Sequence, residues 1–227
     1  MTSVLWTVLK NSKAVADIAC ERISKAAEKA IQQRGVFRLV MAGGSTPEQT
    51  YRLLSENNND WAHWEIYFGD ERCLPVSHME RNSVMIKRAL TDKVPIPEDQ
   101  IFLIPAETGA EKAAQVYGEL LESRLPFDLV LLGMGEDGHT ASLFPGKKFP
   151  QGKLVMPVFD APKLPSNRVS LSEYSINQSR QILLMVTGAN KNQAIKQWRN
   201  GDDLPVSRFS NHENLEVLID MDAFRIE

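Results

Sequence analysis

The stretch Phe127 to Leu132 reads Phe-Asp-Leu-Val-Leu-Leu, and it constrains the fold more than any other feature of the chain. A strand buried on one face alternates apolar and polar side chains. A near-continuous apolar run is the mark of a parallel strand covered on both faces. Phe37 to Met41, Trp64 to Phe68, Gln181 to Val186 and Leu215 to Ile219 are further strand-like runs. Helical patterns lie between them. Over residues 11–34, Val15, Ile18, Ala19, Ile23, Ala26, Ala27, Ala30 and Ile31 recur at three- and four-residue steps, with Asn11 or Ser12 to cap the start and Gly35 to stop it. Glu48 to Leu54 follows Pro47 as a second helix, and Arg81 to Leu90, Ala110 to Ser123 and Asn190 to Arg199 read as others. This alternation predicts an α/β fold, a mostly parallel Rossmann-like sheet with helices on both faces. Val155 to Val158 and Arg168 to Leu171 are expected as shorter or mixed strands.

The unusual residues fall directly after the strands. Gly43-Gly44-Ser45-Thr46 follows the first, Gly69-Asp70-Glu71-Arg72 the second, Gly133-Met134-Gly135-Glu136-Asp137-Gly138-His139 the third and Thr187-Gly188-Ala189-Asn190-Lys191 the fourth. In open α/β sheets ligands sit outside the carboxyl ends of the strands, so four such segments on one rim would build one site.

Gly43, Gly44 and Ser45 have the parts of an anion cradle: glycines that let backbone come close, free amides at a helix start, and a hydroxyl. The same residues also suit an ordinary strand-to-helix turn with Ser45 or Thr46 as N-cap. Neither the P-loop lysine nor the dinucleotide-binding glycine spacing is there. Asp70-Glu71-Arg72 reads as a solvated charged loop, or, at a strand end, as a place where Arg72 grips a phosphate with two prongs. In the glycine-rich third segment, His139 has the residue type and setting of a base that takes a proton from water near neutral pH, and Asp137 is placed to orient it. His63, His78 and His212 show no ligand spacing to one another, no Cys/His cluster suggests a metal, and no G-x-S-x-G elbow suggests a serine nucleophile.

The chain of 227 residues suits a single domain over residues 1–227, with 43% hydrophobic and 24% charged residues. A net charge of −3 argues against a general grip on nucleic acid. No run approaches the ~20 apolar residues of a membrane span. Cys20 and Cys73 are the only cysteines, and with no C-x-x-C and no secretory leader they point to a reducing cytoplasm. Oligomeric state is left open.

Gly-Gly-Ser-Thr-Pro at 43–47, Gly-Asp-Glu-Arg at 69–72 with Pro75 and Asn82-Ser83, and Gly-Met-Gly-Glu-Asp-Gly-His-Thr-Ala-Ser-Leu-Phe-Pro-Gly at 133–146 resemble the 6-phosphogluconolactonase family. Arg168-Val-Ser-Leu, Ile176-Asn177, Gly188 and Lys191 fit the later motifs. The resemblance implies a sheet shared with glucosamine-6-phosphate deaminases and hydrolysis of 6-phosphoglucono-δ-lactone without cofactor or metal. It implies His139 as the base and a phosphate held near Gly43, Gly44 and Ser45 with Arg72, Arg168 and Lys191. The related deaminases place a glutamate five residues after the histidine, where this chain has Phe144, and a tyrosine where it has Arg72. Both departures count against amino-sugar isomerisation. A non-catalytic sugar-phosphate sensor is the further alternative, and it would call for a DNA-binding module.

Overall fold

The computed structural model describes residues 4–147 and 152–225. Strand β1 (Leu5–Leu9) leads into α1 (Ser12–Arg34). The Asn11 side chain accepts the Ala14 N–H at 3.0 Å, and Gly35 closes the helix in the left-handed region at φ 76° while its N–H returns to the Ile31 carbonyl. A side-chain cap of this kind stabilises a helix by about 1 kcal/mol. The face carrying Val15, Ala19, Ile23, Ala27 and Ala30 is fully buried, as the three- and four-residue spacing requires.

The chain continues through β2 (Phe37–Met41), α2 (Ser45–Leu54), β3 (Trp64–Phe68), β4 (Asp70–Arg72), α3 (Asn82–Ile86), α4 (Ala110–Leu121) and β5 (Leu129–Gly133). It ends with β6 (Val155–Val158), β7 (Arg168–Leu171), α5 (Glu173–Asn177), β8 (Ile182–Val186), α6 (Asn192–Arg199), β9 (Leu215–Asp220) and α7 (Met221–Phe224). Six strands form one sheet in the order β1-β9-β8-β5-β2-β3, every pair parallel. Consecutive residues of a strand point to opposite faces. Leu129 to Leu132 and all of β8 are buried, so these central strands are covered on both sides. One continuous apolar core reaches from Val15 to Ala223. Among the described residues no helix is long and apolar enough to cross a membrane.

A second, antiparallel sheet, β4-β7-β6, stands apart from the first. It takes up Val155–Val158 and Arg168–Leu171, and it overturns the solvated-loop reading of Asp70-Glu71-Arg72. Those residues form β4, with Asp70 7% and Glu71 1% exposed. A buried carboxylate needs donors, and Glu71 has them. It accepts the backbone N–H groups of Arg72, Asn82 and Ser83, each at 2.8 Å, and pairs with buried Arg81 at 3.4 Å. Glu71 thus ties β4 to the start of α3. The helix expected over Arg81–Leu90 is α3 followed by a wide π turn at Lys87–Thr91. The one expected from Asn190 begins at Asn192, after a tight turn at Ala189–Lys191.

Candidate active site

The carboxyl ends of β2, β5 and β8 open into a cleft of about 530 Å³, walled on one side by β4 and β7. Gly43, Gly44, Ser45, Arg72, His139, Arg168 and Lys191, expected on one rim, all line it. A larger cleft of about 750 Å³ lies elsewhere, between α1 and the loop at Glu56–Asp60, and contains none of them.

Gly44, not Ser45 or Thr46, occupies the N-cap of α2, at φ 113° and with no side-chain cap. The hydroxyl of Thr46 is instead shared with that of Thr187 at 2.8 Å, which joins the β2 loop to the β8 loop. The start of α2 therefore faces the cleft without a side chain of its own to satisfy its amides, and the helix dipole makes this end favourable to an anion. Gly43 is needed for a different reason. A Cβ there would lie 2.1 Å from Oδ1 of Asn82.

His139 sits in the turn after β5. Its ring fits because Gly135 has no side chain: a Cβ there would come within 2.0 Å of Nδ1. Oδ1 of Asp137 lies 2.5 Å from Nδ1 of His139 and also accepts the His139 backbone N–H at 3.2 Å. Burial pushes the Asp137 carboxyl up, but the His139 hydrogen bond and charge together with backbone N–H groups outweigh it and hold Asp137 below the usual aspartate range. Beside an ionised carboxylate the imidazole proton belongs on Nδ1, where it donates to Asp137. Nε2 is then left as an acceptor. Burial pushes His139 below its ordinary 6.5, against the opposing pull of Asp137, so the ring is neutral at pH 7. The Phe144 ring, 1% exposed, packs on it with centroids 4.7 Å apart.

The three cations are not equivalent. Arg72 donates Nη1 to the Glu80 carbonyl, while its buried Nε has no hydrogen-bond partner among the described residues. Arg168 is 5% exposed and already engaged. Nε donates to the Pro165 carbonyl at 3.0 Å, and Nη2 to those of Lys163 at 2.7 Å and Leu164 at 3.4 Å. It braces the loop before β7 with Nε and Nη2 while lining the cleft. Lys191 is half-buried, and burial lowers its pKa.

Asp70, Asn82, Lys163, Thr187 and Asn190 line the same cleft and were not singled out as site residues from sequence. Asp70, Thr187 and Asn190 lie inside the strand-end segments, and that position was the signal available. Lys163 lies in a Pro-flanked loop far from any strand of the main sheet and carries no such signal.

Residues 10–218 match the family described as glucosamine-6-phosphate isomerases/6-phosphogluconolactonase. The chain is 32% identical over 217 residues to 6-phosphogluconolactonase 3, chloroplastic, of Arabidopsis thaliana, covering 86% of this chain and 67% of that one. It is 34% identical over 198 residues to a 6-phosphogluconolactonase of Synechocystis, covering 83% and 82%. The chain spans about two thirds of the length of the plant relatives. Its fold superimposes on the crystal structure of 6-phosphogluconolactonase from Thermotoga maritima with a TM-score of 0.88 at 26% identity, covering 96% of this chain and 99% of that one.

Proposed function

Because the chain belongs to the glucosamine-6-phosphate isomerase/6-phosphogluconolactonase family, we propose that it hydrolyses 6-phospho-D-glucono-1,5-lactone to 6-phosphogluconate with His139 as general base. The observation that carries this reading is the Asp137–His139 pair, with His139 on the cleft wall and its Nδ1 engaged by the carboxylate behind it, which makes Nε2 the acceptor. Nε2 takes a proton from water as the water oxygen attacks C1 of the lactone. The C1–O5 bond then breaks, and the ring oxygen leaves with the proton returned by His139. The acid formed loses its own proton to solvent. Both transfers need one group whose proton affinity lies near neutrality, and a buried imidazole beside a carboxylate is such a group. The phosphate is held by the open start of α2 at Gly43, Gly44 and Ser45 and by Arg72 and Lys191, with Lys163 added at the mouth and Arg168 holding the Lys163 loop in place.

Phe144 supports hydrolysis over amino-sugar deamination. An apolar ring, not a carboxylate, packs against His139, so no relay can pass a proton on from the imidazole on that side. The test is NMR of freshly generated lactone. The wild-type protein is expected to open it well above the spontaneous rate and to release no ammonia from glucosamine 6-phosphate. Ammonia release with no acceleration of lactone opening would replace this reading with the deaminase.

A further inference from the structure

The cleft is cationic, with Arg72, Lys163, Arg168 and Lys191 around His139. Among the described residues that line it, Asp70 is the one acidic side chain. An acid beside a site for an anion is a cost unless it has work to do, because it repels the phosphate and the carboxylate product alike.

Asp70 is also held in place. Its Oδ1 accepts Nδ2 of Asn82 at 3.0 Å, its Oδ2 accepts the Ser142 hydroxyl at 2.7 Å, and its backbone carbonyl accepts the same Asn82 Nδ2 at 2.9 Å. Asn82 is pinned in turn by Glu71 through its backbone N–H. A carboxylate offers about four acceptor positions, and each oxygen here has given up one to the protein. What approaches the remaining positions must donate a hydrogen bond. A phosphate and a lactone carbonyl do not, whereas sugar hydroxyls do. The carboxylate lies within electrostatic reach of both His139 and Arg168. It therefore shares the cleft with the group proposed to act at C1 and with a cation near it, and the hydroxyls of the substrate lie between C1 and its phosphate.

We infer that Asp70, oriented by Asn82 and Ser142, is a specificity-determining residue that accepts hydrogen bonds from the ring hydroxyls of the sugar. This rests on the lactone reading above. It extends that reading from the ends of the substrate to its middle: the site selects a polyhydroxylated phosphosugar lactone, not any phosphorylated lactone. A hydrogen bond to a charged acceptor contributes enough that removing its donor costs roughly 10- to 100-fold in kcat/KM.

The experiment compares kcat/KM for the parent lactone with its 2-deoxy, 3-deoxy and 4-deoxy counterparts, in wild type and in Asp70→Asn. Asn keeps the shape and can still bond to Asn82 and Ser142. The wild type is expected to disfavour at least one deoxy lactone by roughly 10- to 100-fold. The variant is expected to lose most of that discrimination, while inhibition by inorganic phosphate stays the same or tightens. Two results would overturn the assignment. One is a wild type that treats all four lactones alike, which needs no variant to fold. The other is an Asp70→Asn protein slowed equally on every substrate, since that marks an effect on His139 or on the fold. Failure of the wild type to open the parent lactone sinks the lactonase reading itself and is seen before any comparison is made.

Discussion

At the scale of the residue, everything turns on the protonation of one imidazole. His139 serves as a base only when neutral. Burial lowers its pKa below 6.5, and Asp137 opposes that shift without cancelling it. The sign follows. Above the folded pKa the base is available and the rate is flat, and below it the rate falls as the ring takes up a proton. A pH–rate profile of kcat/KM for lactone opening, which reports the free enzyme, is therefore expected to show an acid limb for His139 with its midpoint below 6.5. Asp137→Asn removes the charge that raises the pKa and the acceptor that fixes the tautomer. The plateau should drop by roughly 10²- to 10⁴-fold, and the acid limb should move to still lower pH. An acid limb above pH 7, or an Asp137→Asn variant with full kcat, would contradict this description of the pair.

At the scale of the element, the cleft depends on short pieces that lock one another. The β2–α2 turn is pressed against Asn82 at the start of α3, and Asn82 cannot retreat because Asp70 and Glu71 hold it. Gly43→Ala should accordingly cost about 1–3 kcal/mol of stability through overpacking and raise KM for the lactone. Gly118→Ala in α4 is the contrast. Its added Cβ meets only Val155, at 3.9 Å, so it should be neutral or stabilise the helix by about 0.5–1 kcal/mol. Thermal melts of both variants check this, and a Gly43→Ala protein as stable and as tight-binding as wild type would show that Asn82 has freedom to move. The long elements were legible in the sequence because they repeat their signal. The face of α1 shows its buried residues at every turn, and β5 and β8 have apolar runs longer than a loop tolerates. The short ones were not. A three-residue strand such as β4 has no periodicity to read, and its Asp-Glu-Arg composition argues for solvent until the partners of Glu71 are known.

At the scale of the whole molecule, a six-stranded parallel sheet brings loops from distant parts of the chain to one rim, and a small antiparallel sheet closes one side. Chain topology explains why the ligand-facing segments could be recognised from their position after strands. It also explains why the finer assignments could not. That Gly135 makes room for the imidazole, that Arg168 gives donors to the Lys163–Pro165 carbonyls, and that Asp70 lines the cleft while held by Ser142, far along the chain, are matters of three-dimensional approach. Composition bounded the chemistry more loosely. A net charge of −3 coexists with a cleft lined by four Lys or Arg side chains, because local electrostatics and global charge are separate quantities. The most direct test of the account is the rate of lactone opening by His139→Ala beside wild type, with thermal melts to establish that both are folded. The expected result is a folded variant slower by roughly 10²- to 10⁴-fold, since the cradle survives but the base does not. Turnover near the wild-type rate would remove His139 from the reaction and with it the proposed mechanism.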